Sequence, residues 1–582
     1  MFVLKLARFL KGYKKQVILG PVFKLIEAIF ELIVPLVMAS IIDVGVEQGD
    51  KGYVFRMGGV MLLLAAVGLC SALICQYFAA QASQGFGTTV RSALYKHINT
   101  LSHAEIDKLG TPSLITRITN DVNQLQVAVA MLIRLVIRAP FLAVGAVVMA
   151  MSIDLKLSVI FLVATPLIAL VLYFVMSRSV PFYKAIQKKL DRVSLLSREN
   201  LDGTRVIRAF SKQKSEEERF NEASDDVAKT AVRVGKLSAL LNPATYLIMN
   251  FAIVAIVWFG GFRVDGGDMS QGQIIAFVNY MTQILLALVV VANLVVIFTK
   301  ASASAARVNE VFETVPSVVE TAAAEVTPSG AENHPKIEFR NVNFSYAGTE
   351  ELSLDNLSFS VARGETVGVI GGTGSGKSTL VNLIPRFYDV TSGEVLIDGV
   401  NVKDYPFSQL RGQIGMVPQK AVLFSGSIRD NMRWGKSDAD DQEIARALSI
   451  AQASEFVEKL PEGYDTKISQ GGKNLSGGQK QRLTIARALV SQPEILILDD
   501  SASALDFATD AALRRAIQRE TAGMTVLIVS QRASTIRRAD KILVLDDGEL
   551  AGVGAHAELL ERCEVYREIC LSQMSAEEVA RG

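Results

Sequence analysis

Six long apolar segments constrain the fold of this 582-residue chain more than any other feature. They lie near residues 17–44, 55–82, 128–152, 155–178, 240–264 and 272–299. A helix needs about 20 predominantly apolar residues to cross a bilayer. Beyond residue 335 the sequence changes to short apolar runs that alternate with polar helical stretches, a pattern typical of a soluble α/β domain. We therefore predict an all-α bundle of six membrane helices followed by a soluble α/β domain.

Residues 316–335 separate these two parts. They are rich in Pro, Ala, Glu and Ser and have no apolar periodicity, which indicates a tether. We expect a transmembrane domain over residues 1–315, a linker over 316–335 and a soluble domain over 336–582. The formal net charge of the chain is only +1, so no nucleic-acid partner is expected.

The charges that flank the first apolar segment predict its orientation. Lys11, Lys14 and Lys15 precede the segment, whereas Asp43 and Asp50 follow it. The positive-inside rule then places the N-terminus in the cytoplasm, and six crossings return the soluble domain to the same side. The segment is too long and too charged for a cleaved signal peptide. We expect a multi-pass protein of the cell membrane with both termini in the cytoplasm.

Two charged stretches, of roughly 45 and 60 residues, follow the second and fourth apolar segments and keep helical periodicity. We interpret them as membrane helices that continue into the cytoplasm, with turns at Thr111–Arg117 and Glu199–Gly203. These tips could press on a cytoplasmic motor, and ordinary solvated loops are the alternative. Within the membrane, Glu27 and Glu31 could line a polar, partly acidic pathway. Arg134 and Arg138 share that interpretation, or they simply extend to the cytoplasmic interface.

A phosphate-binding motif opens the soluble domain. The apolar strand 366–370 runs directly into a glycine-rich turn that matches G-x-x-x-x-G-K-[ST] and precedes a helix. In such a turn the backbone N–H groups surround phosphates, Lys377 reaches the β- and γ-phosphates and Ser378 binds Mg²⁺. The predicted ATP-binding residues of the turn are Gly371, Gly372, Thr373, Gly374, Ser375, Gly376, Lys377, Ser378 and Thr379.

A buried strand at 495–498 ends in Asp499 and Asp500. A carboxylate at the end of such a strand commonly completes the Mg²⁺ shell, so Asp499 is the expected partner of Ser378.

The stretch LSGGQ at 475–479, followed by KQR, resembles the signature of the ATP-binding cassette (ABC) family. The resemblance covers the whole chain, because the six-span half resembles the exporter-type membrane domain of that family. It implies an α/β cassette with a RecA-like core, an antiparallel β subdomain and a helical subdomain. It also implies a dimer in which ATP lies between one chain's phosphate loop and the other chain's signature. The further site residues implied by the resemblance are Ser476, Gly477, Gly478 and Gln479 of the signature, Tyr346 against adenine, Gln419 as a sensor of Mg²⁺, and Asp506 in the loop joining the two sites.

Two positions depart from the family pattern. The family normally has Glu after the Mg²⁺-linked Asp and His some thirty residues later, and here Asp500 and Gln531 occupy those places. Asp is one methylene shorter than Glu, and Gln cannot carry a proton near neutral pH. These catalytic positions predict a site that binds ATP and Mg²⁺ but hydrolyses ATP slowly or not at all. A heterodimer follows, in which this chain's signature completes a competent site on a second half-transporter that carries Glu and His.

The resemblance implies export of hydrophobic or amphipathic compounds, such as drugs or lipid-like molecules, from the bilayer or cytoplasm. A homodimeric exporter and a nucleotide-gated regulatory subunit without turnover remain alternatives, and import is a third. No residue in the sequence identifies the transported substrate.

Overall fold

The computed structural model describes residues 5–320, 326, 334–346, 349, 351–501, 503–521 and 523–573. The chain divides into two compact units. One unit comprises Met1–Asn99 and Thr111–Glu313, and the other comprises Thr100–Gly110 and Thr314–Gly582. Most of the predicted linker, residues 321–325 and 327–333, lies outside the described residues.

Among the described residues of the first unit, every secondary-structure element is a helix, and the prediction of six membrane-spanning helices is confirmed. Six helical segments of the described chain are long and apolar enough to cross a membrane: Ala7–Val46, Lys51–Ile98, Thr111–Ile153, Val159–Asp202, Gln213–Asp265 and Gln271–Glu313. Their regular α-helical parts are Lys14–Ser40, Lys51–Ile98, Thr111–Thr116, Val122–Arg134, Arg138–Ile153, Val159–Asp202, Thr204–Ala209, Gln213–Ala239, Leu241–Asp265 and Gln271–Glu313.

The third span is interrupted at residues 135–137, between the helices Val122–Arg134 and Arg138–Ile153. Pro140 explains the interruption, because proline has no N–H to donate to the carbonyl of Val136 four residues earlier. The sequence analysis treated this span as continuous. The two arginines of the span, Arg134 and Arg138, therefore lie on either side of a break in the helix.

The turn between the second and third spans lies earlier in the chain than predicted. Thr111–Thr116 is helical, and the chain reverses over residues 99–110 instead, where it forms the short helix His103–Leu109. Ser102 and Glu105 cap the start of this helix reciprocally, and such a capping box is a strong local signal for a helix start. The second reversal begins at Gly203, at the end of the predicted turn, and continues through the helix Thr204–Ala209.

The interior of the membrane unit is built from small and aromatic side chains. Ala28, Ala146 and Ala276 are fully buried, and the rings of Phe161 and Phe277 lie 5.4 Å apart. Small residues let membrane helices approach closely. Large apolar side chains point outward instead, as a lipid-facing surface requires, and they include Leu162, Leu170, Phe174, Phe251 and Trp258.

Four charged residues of the first and third spans pair with one another. Arg138 lies 2.5 Å from Glu31 and 4.0 Å from Glu27, and Lys24 lies 2.6 Å from Glu27. Arg138 thus joins the first and third spans through an ion pair. Pairing of this kind reduces the cost of placing charge at membrane depth.

The second unit contains two large sheets. The antiparallel sheet has the order β2-β1-β4-β5, and a mixed six-stranded sheet has the order β12-β11-β3-β10-β9-β6. Strands β7 and β8 form a small two-stranded antiparallel sheet. The strands are β1 Ile337–Phe344, β2 Leu354–Val361, β3 Thr366–Gly371, β4 Ser392–Ile397, β5 Val400–Asn401, β6 Ile414–Val417, β7 Gly426–Ser427, β8 Lys467–Ile468, β9 Ile495–Asp499, β10 Thr525–Val529, β11 Lys541–Asp546 and β12 Glu549–Gly554.

Helices cover this larger sheet and form a separate helical region between β6 and β9. The helices of the second unit are His103–Leu109, Lys377–Leu383, Phe407–Gly412, Ile428–Arg433, Asp441–Ile450, Ser454–Glu458, Gly477–Leu489, Phe507–Glu520, Ala533–Ile536, His556–Arg562 and Glu564–Gln573. Strands β9 and β10 are buried along their whole length, which is typical of parallel strands covered on both faces. The predicted combination of an α/β core, an antiparallel β subdomain and a helical subdomain is confirmed.

Candidate functional site

Four loops of the soluble unit meet at one edge of the mixed sheet. Strands β3, β10, β9 and β6 are adjacent and parallel, so their carboxyl ends share an edge. The loop after β3 carries the phosphate motif, and those after β9, β10 and β6 carry Asp500, Gln531 and Gln419. Sheet order alone therefore brings together residues that are far apart in the sequence.

The phosphate loop contains left-handed backbone conformations that its glycines permit. Gly374 and Gly376 have φ angles of +89° and +90°, which favour glycine over residues with a Cβ. Gly372, Thr373 and Gly374 form the exposed tip of the loop. The helix Lys377–Leu383 begins directly after Gly376, so its free N–H groups open toward the loop.

Lys377 is folded back into this loop. Its ammonium donates to the carbonyl oxygen of Gly371 at 3.0 Å, to that of Gly372, and to Ser375 Oγ at 3.2 Å. Burial lowers the pKa of Lys377, and the nearby charges of Asp500 and Asp499 oppose that shift. The positive charge is therefore concentrated where the loop can receive an anion.

Ser378 and Asp499, the predicted magnesium ligands, are in direct contact. Ser378 Oγ donates to Asp499 Oδ1 at 3.0 Å. Burial raises the pKa of Asp499, and the hydroxyl of Ser378 opposes this. A buried carboxylate beside a hydroxyl is a set of hard oxygen ligands, and Mg²⁺ prefers such ligands. These residues fit Mg²⁺, which would bridge and neutralise phosphate oxygens when bound.

Asp500 follows at the end of β9 in a left-handed conformation, with φ of +45°. Its N–H donates to the carbonyl oxygen of Val529 at 3.0 Å, which holds it beside the end of β10. Burial raises the pKa of the Asp500 carboxyl, while a hydrogen bond from Gln419 and the charge of Arg532 oppose the shift. The structure thus places Gln419 against Asp500.

Gln531 is exposed at the end of β10, and its backbone is held from the last helix of the described chain. Gln573 Nε2 donates to the carbonyl oxygen of Gln531 at 2.7 Å, and Gln573 Oε1 accepts from the N–H of Ala533 at 2.9 Å. No motif or spacing in the sequence indicates this contact. One glutamine side chain therefore fixes both sides of the turn that carries Gln531.

Tyr346, the predicted adenine contact, is tied to the phosphate loop. Its hydroxyl lies 3.0 Å from Thr379 Oγ1. Its ring makes edge contacts with Phe344 at 4.9 Å and Tyr388 at 5.4 Å, and about a third of the side chain is exposed. An aromatic face held in this way beside a phosphate loop is suited to stacking against a base.

Tyr388 was missed by the sequence analysis, although it connects the Tyr346 ring to the short helix His103–Leu109. The hydroxyl of Tyr388 donates to Asp107 Oδ2 at 2.9 Å, and the neighbouring ring of Phe387 stacks on His103 at 4.6 Å. Burial raises the pKa of Tyr388 and lowers that of His103. The one sequence signal for this contact is the pair of adjacent aromatic residues at 387–388, and that pair does not indicate which segment they contact.

The signature residues start the helix Gly477–Leu489. Ser476 caps this helix, and Gln479 Oε1 accepts a hydrogen bond from the Ser476 N–H at 2.9 Å. Asp506 in turn caps the helix Phe507–Glu520 by accepting from Thr509 N–H at 2.9 Å. Within the described residues, no hydrogen bond joins residues 476–479 to the phosphate loop 371–379.

This membrane bundle and phosphate-binding α/β unit together define a nucleotide-binding membrane transporter. Family profiles agree: the ABC transporter transmembrane region matches residues 17–288, the ABC transporter domain matches 354–503, and a P-loop domain matches 436–573. The chain belongs to the ABC transporter family. It is 39% identical over 573 residues to the uncharacterized ABC transporter ATP-binding protein YfiB of Bacillus subtilis, a match that covers 98% of this chain and 99% of YfiB.

Other relatives have names that describe export. The ATP-dependent lipid A-core flippase of Syntrophus aciditrophicus is 34% identical over 87% of this chain and 84% of its own length. Among solved structures, a bacterial Atm1-family ABC exporter with ATP bound superposes with a TM-score of 0.77 at 26% identity, covering 98% of this chain and 99% of that one. The chain is thus an ATP-hydrolysing ABC exporter by family, embedded in a membrane through several spans.

Proposed function

We propose that this chain is one subunit of a heterodimeric ABC exporter, whose own phosphate-loop site holds ATP and hydrolyses it slowly or not at all. The observation that carries the proposal is the pair Asp500 and Gln531. These residues stand at the ends of β9 and β10, at the two positions where the family normally has Glu and His. The groups that bind phosphate and metal nearby are all present.

The binding roles follow from the contacts described above. Lys377 and the N–H groups of residues 371–379 would hold the phosphates. Ser378, Asp499 and Gln419 would hold Mg²⁺, and Tyr346 would stack on adenine. ATP and Mg²⁺ are therefore the ligands proposed for this site.

The chemistry of hydrolysis needs a group that positions and deprotonates water. The Asp500 carboxylate is one methylene shorter than Glu, and a misplacement of about 1 Å can cost on the order of 10²-fold in rate. Gln531 can donate and accept hydrogen bonds but cannot take up a proton near neutral pH. Both changes weaken the reaction and leave ATP binding intact.

The signature supports a role in a site on another chain. A Cβ added at Gly477 would meet no atom within 4 Å, so nothing in this chain requires a glycine there. The exposed start of the helix at Ser476 and Gly477 offers N–H and hydroxyl donors to a ligand from outside the chain. We infer that these donors reach the γ-phosphate held by a partner subunit that carries Glu and His.

The transported class is proposed from the relatives. One is named as a lipid A-core flippase, and YgaD of Bacillus subtilis, 32% identical over 97% of both chains, carries multidrug export in its name. We propose hydrophobic or amphipathic substrates such as drugs and lipid-like molecules. The membrane domain would span residues 1–315, the linker 316–335 and the cassette 336–582, with both termini in the cytoplasm.

The test is the ATPase activity of this chain purified alone, compared with the chain co-purified with a half-transporter encoded beside it. We expect turnover only in the pair. Within the pair, Gly477→Ala should abolish most turnover, whereas Asp500→Asn should change it less than about twofold. The assignment fails if Asp500→Asn abolishes turnover and Gly477→Ala does not.

Two other outcomes correspond to the alternatives. Robust turnover by this chain alone would establish a homodimer in which Asp500 and Gln531 suffice for hydrolysis. ATP binding without turnover in any pair, and without an effect of Gly477→Ala, would favour a regulatory subunit.

A further inference from the structure

The cassette contains a large cavity that lies outside the phosphate loop and borders the segment following Gln531. Its volume is about 1260 Å³, and it lies between the helix Phe507–Glu520 and the segment 532–540. None of the phosphate-loop residues 371–379 lines it. It reaches the start of β3 and β10, at Thr366 and Val526, which is the sheet edge opposite the phosphate loop.

The walls of this cavity are strongly basic. Five arginines line it: Arg514, Arg515, Arg532, Arg537 and Arg538. The one acidic residue among the lining residues, Asp540, accepts a hydrogen bond from the backbone N–H of Thr366 at 2.8 Å.

Among the described residues, only one of these five arginines pairs with an acidic side chain. Arg514 pairs with Asp510 at 2.9 Å, but its Nε is buried without a hydrogen-bond partner in the described structure. The other four arginines form no ion pair with any described residue. Like charges concentrated around one cavity repel one another and raise the local concentration of anions.

The floor of the cavity is apolar. Ile517, Met524 and Val526 line it, and Phe507 lies at its mouth with the Arg532 guanidinium 5.3 Å from its ring centroid. Cavities of roughly 300–1,000 Å³ usually hold small molecules that combine apolar contacts with a few placed polar groups. This cavity is large enough for a molecule of nucleotide size.

We propose that this cavity is a second ligand site on the cassette, which binds an organic polyanion with an apolar or aromatic body and two or more phosphate-like groups. Arginine forks match phosphate oxygens in pairs, and the apolar floor accepts the body of the ligand. Arg514 also donates to the carbonyl oxygens of Ser534 and Thr535. The ligand would therefore contact side chains that hold the segment following Gln531.

The test uses the purified full-length chain without nucleotide, because ATP is itself an aromatic polyanion and would compete with the probe for the cavity. Probe bound at the phosphate loop is recognised because the cavity variants do not weaken it. The probe is pyranine, a planar aromatic with three sulfonates, followed by fluorescence anisotropy. Arg515→Gln and Arg538→Gln remove cavity charges, and Arg519→Gln is the matched control. Arg519 is exposed on the helix that carries Arg515 but does not line the cavity.

We expect saturable binding that each cavity variant weakens about tenfold, since a charge-assisted hydrogen bond contributes roughly that much to affinity. Arg519→Gln should change it less than about twofold. The absence of saturable binding by the wild-type chain would overturn the proposal. So would an Arg519→Gln effect as large as that of the cavity variants, because it would reveal general attraction to a basic surface.

Discussion

Replacement of Tyr346 provides a graded test of the nucleotide site. The ring is held by the edges of Phe344 and Tyr388 and by the hydroxyl contact to Thr379. We therefore expect it to be preorganised for stacking. Loss of an aromatic platform costs about 1–3 kcal/mol per stacked base, which corresponds to roughly 5–150-fold in affinity. Tyr346→Ala should weaken ATP binding within that range.

Tyr346→Phe separates stacking from hydrogen bonding. It keeps the ring and removes only the contact to Thr379, which is partly exposed to water. A neutral hydrogen bond contributes about 0.5–1.5 kcal/mol, and partial exposure places this one at the lower end. We expect Tyr346→Phe to weaken ATP binding less than about threefold.

The assay is isothermal titration of the purified chain with ATP and Mg²⁺, repeated with inorganic triphosphate, which has no base. Neither variant should alter triphosphate binding by more than about twofold. The stacking argument is refuted if Tyr346→Ala weakens triphosphate binding as much as ATP binding. The residue would then act by supporting the phosphate loop through Thr379.

Two further predictions concern charge in each unit. Arg138→Met should cost about 1–3 kcal/mol of stability and so lower the melting temperature of the detergent-purified protein, because Glu31 loses its partner at 2.5 Å. Adding Glu31→Gln should recover at least half of that loss. The reasoning is wrong if the double variant melts at a lower temperature than Arg138→Met alone. Burial lowers the pKa of His556, whose ring lies 2.7 Å from the Tyr566 hydroxyl. The unfolded chain then binds the extra proton more readily, so cassette stability should fall as pH drops below about 6.5, and His556→Asn should flatten the profile of melting temperature against pH.

The sequence predicted which residues of the proposed nucleotide site come together, because its signals are local. The phosphate loop and the end of β9 each combine a strand with a defined turn, and sheet order then brings Ser378 and Asp499 together. The hydrogen bonds of Gln573 to the backbone around Gln531, and the contact between Tyr388 and Asp107, were not predictable. They join residues 42 and 281 positions apart, and no periodicity or spacing specifies such pairs.

The membrane unit shows the same limit. Apolar length identified six spans, but the position of the first turn depended on the capping box at Ser102, which lies outside any apolar run. The break at residues 135–137 had a visible signal in Pro140. The pairing of Arg138 with Glu31 had no signal in the sequence. The same spacing of charges along the chain is compatible with two side chains that face each other, that face a cavity, or that face the membrane interface.

The order of strands in the mixed sheet has a consequence for synthesis of the chain. Strand β3, which delivers the phosphate loop, lies between β11 and β10, and a bond near its start joins Gly364 to Thr525, 161 residues later. While the ribosome is still translating the intervening residues, β3 has neither neighbour and its apolar edges are open. Pairing between such distant strands is slow, and unpaired edges are prone to aggregate. The membrane unit is translated before β3. The cassette therefore remains without the last strands of its sheet while the chain is already attached to the bilayer.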